Sequence, residues 1–126
     1  MFRSDSVKAA RVVLLSAARS QKTVTYGTLM KRVGLSRGRA LSGMIGAVDR
    51  MEYVSHAPGF ASIIVRKDTG FPGGGYFCDD TLPARLRRPQ SRASDSRLSG
   101  AERDHVRRKQ EEIWRFYGEG RRSVRR

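Results

Sequence analysis

The sequence predicts a mainly α-helical protein with a small β-hairpin, arranged as a winged helix-turn-helix and followed by a C-terminal helix. Two helical segments flank a tight turn within residues 23–47, and a β-branched run bounded by turn residues follows them. The composition then shifts to arginine, serine and proline. The predicted organisation is a winged-helix domain (1–80), a basic flexible linker (81–100), a helix (101–120) and a disordered basic tail (121–126).

The first element is a helix over about residues 6–19, with Ser4 or Asp5 as its N-cap. Apolar residues recur along it at helical spacing and predict a buried stripe made of Val7, Ala10, Leu14 and Ala17 or Ala18. Residues 21–24 are polar and β-branched, which is typical of a connector or a short strand.

The helix-turn-helix is predicted by its capping residues. Thr25 suits the N-cap of a helix over 26–33, and Gly34 supplies the break. Ser36 then suits the N-cap of a second helix that starts at Arg37. The second helix separates into an apolar face and a polar face. The apolar face holds Leu41, Met44, Ile45 and Val48, and the polar face holds Arg39, Gly43, Gly46 and Arg50.

The two glycines on that polar face need a reason, because glycine inside a helix costs roughly 1 kcal/mol relative to alanine. One interpretation is that the bare backbone at Gly43 and Gly46 admits a nucleic-acid groove, with Arg39 and Arg50 reaching phosphates or base edges. The alternative is that the glycines let another helix of the same domain pack closely while the arginines are solvated.

A hairpin is predicted after the sequence His56-Ala57-Pro58-Gly59, where proline ends the second helix. Residues 60–67 are β-branched at their centre and predict a strand. Residues 68–70 can turn the chain, and 76–78 are the predicted partner strand. The triglycine at 73–75 lacks the Gly-Lys-Ser ending of a phosphate-binding loop, so we interpret it as a flexible wing tip.

Ser99 suits the N-cap of the final helix, predicted over about residues 101–117 and closed by Gly118 and Gly120. Its apolar stripe docks either on the core or on a second copy of the chain, which leaves a homodimer through the Trp114 helix as an alternative. The stripe consists of Val106, Ile113, Trp114 and Tyr117.

The charge balance predicts a polyanionic partner. The chain has 26 Lys and Arg against 12 Asp and Glu, a formal charge of +14. Nucleic acid is the commonest such partner, with an anionic membrane surface or an acidic protein as rivals. No apolar run approaches the roughly 18 residues that span a bilayer, and the single Cys78 is typical of a reducing cytoplasm.

Residues with catalytic or metal-binding potential are sparse. His56 and His105 have no second ligand at metal-binding spacing, and Asp79 and Asp80 are adjacent rather than paired across a site. Cys78 stands beside those carboxylates, which disfavour its thiolate, so a structural role is expected. The sequence therefore predicts a protein without enzymatic activity and without a cofactor.

Residues 24–43, VTYGTLMKRVGLSRGRALSG, resemble the DNA-binding winged helix of alkylguanine alkyltransferases and alkyltransferase-like proteins. The resemblance implies that Tyr26 rotates a DNA phosphate and that Arg39 replaces an extruded base. The alkyl-accepting Pro-Cys-His-Arg motif of that family has no counterpart in residues 56–70, HAPGFASIIVRKDTG. A lesion sensor without transfer chemistry is the function that this resemblance implies.

A second resemblance covers most of the chain. Residues 63–77, IIVRKDTGFPGGGYF, and the helix with Trp114 and Tyr117 are similar to short bacterial and phage winged-helix proteins. This likeness implies a fold rather than an activity.

The function predicted from these patterns is a non-enzymatic regulator of transcription that binds double-stranded DNA in a bacterial cytoplasm. The alternatives are a bacterial or phage module that holds an acidic host protein and, third, the lesion sensor. The predicted DNA contacts are Thr25, Tyr26, Arg37, Arg39, Ser42, Gly43, Gly46, Arg50, Arg66 and Lys67.

Overall fold

Helix α1 (Ser4–Arg19) is amphipathic and buries the stripe that its sequence predicts. Four side chains at helical spacing point into the core, and Leu15 joins them. They are Val7, Ala10, Leu14 and Ala18. The spacing of small and large apolar residues was therefore sufficient to identify the face of α1 that packs against the remaining helices.

The computed structural model describes residues 4–34, 44–50, 52, 57–79 and 82–124. Within these residues the protein is mainly helical, with four helices and one two-stranded parallel sheet. None of the helices in this part of the chain combines the length and the hydropathy needed to cross a bilayer. The elements after α1 are β1 (Val24–Thr25), α2 (Tyr26–Val33), α3 (residues 44–50), β2 (Ile64–Val65) and α4 (Gly100–Val124).

Both predicted caps of α2 are confirmed. The Thr25 hydroxyl accepts a hydrogen bond from the Thr28 amide at 3.1 Å. Gly34 ends the helix with a left-handed φ of 76°, and its amide donates to the Met30 carbonyl. A left-handed φ strains any residue with a Cβ, which explains glycine at this position.

Helix α3 carries the second half of the predicted two-faced helix. Met44 and Val48 are fully buried, and Ile45 packs against the same core. The predicted start of this helix, with Ser36 and Arg37, lies outside the described residues.

The predicted hairpin is wrong in its pairing. β2 is limited to Ile64–Val65, and it pairs in parallel with β1, placing Val24 opposite Ile64 and Thr25 opposite Val65. The turn at 68–70 does form, because the Arg66 amide donates to the Phe71 carbonyl and the Gly70 amide donates to the Arg66 carbonyl, both at 2.9 Å.

The hairpin ladder stops there for a physical reason. Pro72 follows at once and has no N–H to continue a ladder, and three glycines come next. The predicted partner strand at 76–78 belongs instead to a 3₁₀ helix, Gly74–Cys78. Gly74 is buried: a Cβ there would lie 2.4 Å from the Asp95 carbonyl oxygen, so it is no exposed wing tip.

The predicted flexible linker is packed rather than extended. It contains two short 3₁₀ helices, Ala84–Leu86 and Gln90–Arg92, and buries Leu86 and Arg88. The Arg88 guanidinium forms a bidentate ion pair with Glu102 at 2.7 and 2.9 Å. It also donates to the carbonyls of Asp95 at 2.8 Å and Arg97 at 2.6 Å. One buried arginine thus organises a segment that has few apolar residues.

Helix α4 begins with a capping box and docks on the core. The Ser99 hydroxyl accepts from the Glu102 amide, and the Glu102 carboxylate accepts from the Ser99 amide. Trp114 donates its indole N–H to the Lys22 carbonyl at 3.1 Å, and Tyr117 stacks on Phe60 with centroids 5.0 Å apart.

The apolar stripe of α4 therefore packs onto the core of its own chain. The predicted end near Tyr117 is wrong, since the helix continues to Val124, with Gly118 inside it. Gly120 lies inside the helix as well, and burial of Val106, Ile113 and Tyr117 offsets the cost of roughly 1 kcal/mol for each interior glycine.

Candidate nucleic-acid interface

A groove of about 1120 Å³ is lined by α3, residues 57–62, the 3₁₀ helix Gly74–Cys78 and α4. Three residues predicted from sequence as DNA contacts line it together: Tyr26, Gly46 and Arg66. They come from α2, α3 and the residue after β2, so the fold brings together side chains that are 20 or more positions apart.

Tyr26 has a partner inside the protein. Its hydroxyl accepts a hydrogen bond from the Gly73 amide at 3.1 Å. Burial raises the pKa of Tyr26, while the Gly73 hydrogen bond and the nearby Arg66 lower it less. The hydroxyl stays protonated and links α2 to the glycine segment, which gives Tyr26 a structural role beside the predicted one.

Gly46 and Arg50 lie one turn apart on α3. A Cβ added at Gly46 would lie 3.5 Å from the Arg50 guanidinium, an ordinary contact, and it meets no other atom of the described residues within 4 Å. Close packing of a neighbouring helix therefore does not explain this glycine within the part of the chain that is described. Arg50 is exposed and extends over the bare backbone.

Arg66 and Lys67 follow β2 at the edge of the groove. Arg66 pairs with Asp68 through two hydrogen bonds of 2.9 and 2.7 Å, and Lys67 is exposed. The pair raises the pKa of Arg66 and lowers that of Asp68. Solvent screens both side chains, so a phosphate can compete with Asp68 for the guanidinium.

Further cations on the groove come from the second half of the chain and were missed from sequence. Arg85 belongs to the 3₁₀ helix Ala84–Leu86, and Arg108 and Lys109 to α4. The available signal was helical spacing: His105, Arg108 and Lys109 stand at offsets of three and four, which place them on one face. The predicted docking stripe drew attention to the adjoining side of this helix, although its Ile113 also lines the groove.

His105 is the buried centre of that face, 7% exposed, with its Nε2 3.4 Å from the Tyr76 hydroxyl. Burial lowers its pKa below 6.5, and the positive charges of Lys109, Arg108 and Arg85 lower it further. The imidazole is therefore neutral at pH 7.

Asp49 lies on the α3 side of the groove and accepts a hydrogen bond from the Phe60 amide at 2.7 Å. Burial raises the pKa of Asp49 to about 6, although the amides of Phe60 and Ala61 act against this rise. The charges of Glu52 and Asp79 add to the increase. The groove thus holds the carboxylates of Asp49, Asp79 and Glu112 as well as cations.

The remaining predicted contacts are distributed as follows. Thr25 uses its hydroxyl to cap α2. Arg37, Arg39, Ser42 and Gly43 lie outside the described residues, so their role stays a prediction. Cys78 is a free thiol, with Sγ 3.7 Å from the Pro89 carbonyl oxygen. In the described ranges no three His, Cys, Asp or Glu side chains cluster as metal ligands would.

Comparison of the chain with known proteins gives no match. No family model, no curated protein and no solved structure matches this chain, so its function has to be inferred from the groove and the charges around it.

Proposed function

We propose that the protein binds double-stranded DNA without catalysing a reaction and acts as a regulator. The face that carries α3 and the turn after β2 contacts the duplex. The observation that carries this proposal is the convergence of cations from three separate elements, Arg66, Arg85 and Arg108, on one groove beside α3. A net charge of +14 supports the same partner.

The arrangement proposed for the DNA complex is a winged helix-turn-helix. Helix α2, capped by Thr25 and Gly34, precedes the helix that includes α3, and the latter lies in the major groove. Arg50 and the predicted Arg37 and Arg39 reach phosphates or base edges from this helix. The turn after β2 takes the place of the wing, with Arg66 and Lys67 on flanking phosphates.

The glycine on α3 fits this arrangement. Among the described residues Gly46 has only the Arg50 side chain near it, and that side chain can move away from the helix. A duplex could then approach the backbone at Gly46 more closely than it could if a larger residue stood at this position.

The test is a salt titration of duplex binding by fluorescence anisotropy between 50 and 200 mM salt. Replacing one phosphate-contacting arginine lowers the slope of log K against log salt by about 0.9. We expect this for Arg50→Gln and Arg66→Gln. Arg19→Gln removes an exposed arginine at the end of α1 and serves as the matched control.

If Arg50→Gln and Arg66→Gln behave like Arg19→Gln, the assigned face is wrong. If the wild-type protein binds no duplex at 50 mM salt, DNA is not the partner, and a nuclease-treated pull-down then tests an acidic protein instead.

The lesion-sensor version of the proposal is narrower. It requires Tyr26 to act on a DNA phosphate, whereas its hydroxyl is already bonded to the Gly73 amide. A duplex containing methylguanine and its unmodified counterpart should therefore bind equally well, and a clear preference for the modified duplex would revive that version.

A further inference from the structure

A second group of charges stands apart from the proposed α3 contacts. Arg85, Arg108 and Lys109 line the groove together with His105. The charged groups that lower the pKa of His105 are these three cations, with no carboxylate among them. The fold therefore holds like charges together near the imidazole.

One carboxylate of the same groove pairs with this group within the described residues, and that pair is open to solvent. Lys109 pairs with Glu112 at 3.5 Å, but both side chains are about half exposed, at 48% and 55%. Arg85 and Arg108 form no ion pair within the described residues. The carboxylates of Asp49, Asp79 and Glu112 act on the neighbouring Tyr76. Burial is the main cause of the raised pKa of Tyr76, and these three charges raise it further.

A buried hydroxyl on the same groove is also unsatisfied. Ser62 is 3% exposed, and its Oγ has no hydrogen-bond partner in the described part of the chain. Its backbone carbonyl is occupied, since it accepts from the Gln110 side chain at 2.9 Å. A buried hydroxyl without a partner is uncommon in a native protein and is expected beside a ligand or an ordered water.

We propose that Arg85, Arg108 and Lys109 form a binding site for a phosphate group beside His105. Arginine matches phosphate oxygens with two parallel N–H donors. A carboxylate carries one negative charge and would leave most of the cluster uncompensated, whereas a phosphate monoester carries about 1.5 to 2. The phosphate belongs either to DNA, which extends the proposed function to α4, or to a free phosphorylated molecule.

His105 provides the readout for the first experiment, because the chain has only two histidines and His105→Gln assigns its signal. Inorganic phosphate and a mononucleotide are titrated separately while the imidazole signals are followed by NMR over pH 5–8. A bound anion stabilises the imidazolium, so the pKa of His105 should rise saturably. Arg108→Gln should weaken this response at least fivefold.

Arg115→Gln is the matched control, since it removes the same charge from an exposed position of α4 that does not line the groove. It should change the phosphate affinity less than twofold. An unsaturable response, or equal losses in Arg108→Gln and Arg115→Gln, would overturn the site. Arg85 and Arg108 are exposed, so their replacement should leave the fold intact, as circular dichroism can check.

The second experiment identifies the source of the phosphate by measuring duplex binding of Arg85→Gln/Arg108→Gln. If DNA supplies it, the salt slope falls by about 2 and the mononucleotide competes with the duplex. If a free molecule supplies it, the mononucleotide saturates the His105 response of the wild-type protein, and the double variant binds the duplex with the same affinity as the wild type. Neither outcome depends on Arg50, so failure of the α3 contacts leaves this site standing, and the contacts of Arg50 and Arg66 are tested separately by their own salt slopes.

Discussion

The two halves of this protein are ordered by different forces. Residues up to 79 surround an apolar core in which Leu14, Leu29 and Phe60 are fully buried. Residues 82–99 bury only Leu86 and Arg88. The Arg88 guanidinium donates five hydrogen bonds, two to Glu102 and three to carbonyls of this segment, those of Arg92, Asp95 and Arg97. The comparison teaches that a segment poor in apolar residues can still be packed when one buried cation satisfies several carbonyls at once.

The halves also treat a buried carboxylate in opposite ways. Asp49 has the backbone amides of Phe60 and Ala61 as partners, and burial is the main cause that raises its pKa to about 6. Burial acts on Glu102 in the same direction, but the hydrogen bonds from Arg88 and Ser99 hold its pKa below the usual value. A guanidinium at 2.7 Å thus accounts for the difference between the two acids.

The largest expected effect comes from removing that guanidinium. Arg88→Ala leaves Glu102 buried without its partner and frees three carbonyls, so the free energy of unfolding should fall by about 3–5 kcal/mol. Arg87→Ala changes an exposed neighbour and should cost less than about 0.5 kcal/mol. Chemical denaturation compares the two, and equal losses would mean that Arg88 does not hold the segment.

The next prediction concerns pH and Asp49. Its carboxyl binds a proton more tightly in the folded chain, at a pKa of about 6, than in the unfolded chain, at 3.8. The contribution of Asp49 to stability should therefore be fully present below about pH 4 and be lost as the pH rises through about 6. Asp49→Asn keeps an oxygen for the Phe60 amide and removes the charge.

This variant should be more stable than the wild type by about 2–3 kcal/mol at pH 8 and should lack the decline between pH 4 and 7. Urea denaturation at several pH values measures both. A variant with the same pH slope as the wild type would show that another group is responsible.

Two adjacent glycines test the contact between the halves. A Cβ at Gly74 would lie 2.4 Å from the Asp95 carbonyl oxygen and 2.7 Å from that of Ala93, whereas a Cβ at Gly75 meets no atom of the described chain within 4 Å. Gly74→Ala should cost about 2 kcal/mol and Gly75→Ala less than about 0.5 kcal/mol. Thermal denaturation compares the two variants. Equal midpoints would contradict the close approach of Gly74 to the carbonyls of Ala93 and Asp95.

The smallest effects are expected at the helix caps, which are alike in the two halves. Thr25→Ala and Ser99→Ala each remove a hydroxyl that accepts a backbone N–H at 3.1 Å, and each should cost about 1 kcal/mol. Thr23→Ala, at an exposed position before β1, is the control. A much larger loss in Ser99→Ala would indicate that the cap also supports the Arg88 cluster.

The sequence was informative where the signal is local. The bounds of α2 followed from Thr25 and Gly34, and the buried stripe of α1 followed from its spacing. The pairing of β2 was not predictable in this way, because its partner at Val24–Thr25 lies 40 positions away and a nearby hairpin was the simpler choice.

The same limit applies to the groove. Gly46 and Arg66 were predicted from local patterns and Tyr26 from the family resemblance, but composition alone described residues 81–100 as a linker. The residues around Arg88 give no sign that it is buried among carbonyls of its own segment. Without that knowledge, nothing in the sequence predicts that Arg85 and Arg108 line the same groove. Only the packed segment brings these cations to one place.

The stacking of Tyr117 on Phe60 has a practical consequence for anyone shortening this protein. The ring of Tyr117 and the side chain of Ile113 complete the cluster that includes Leu14 and Leu29. A fragment that stops at residue 80 would leave that cluster open to water and would be prone to self-association. Expression of the proposed DNA-binding face by itself should therefore retain α4 at least as far as Tyr117.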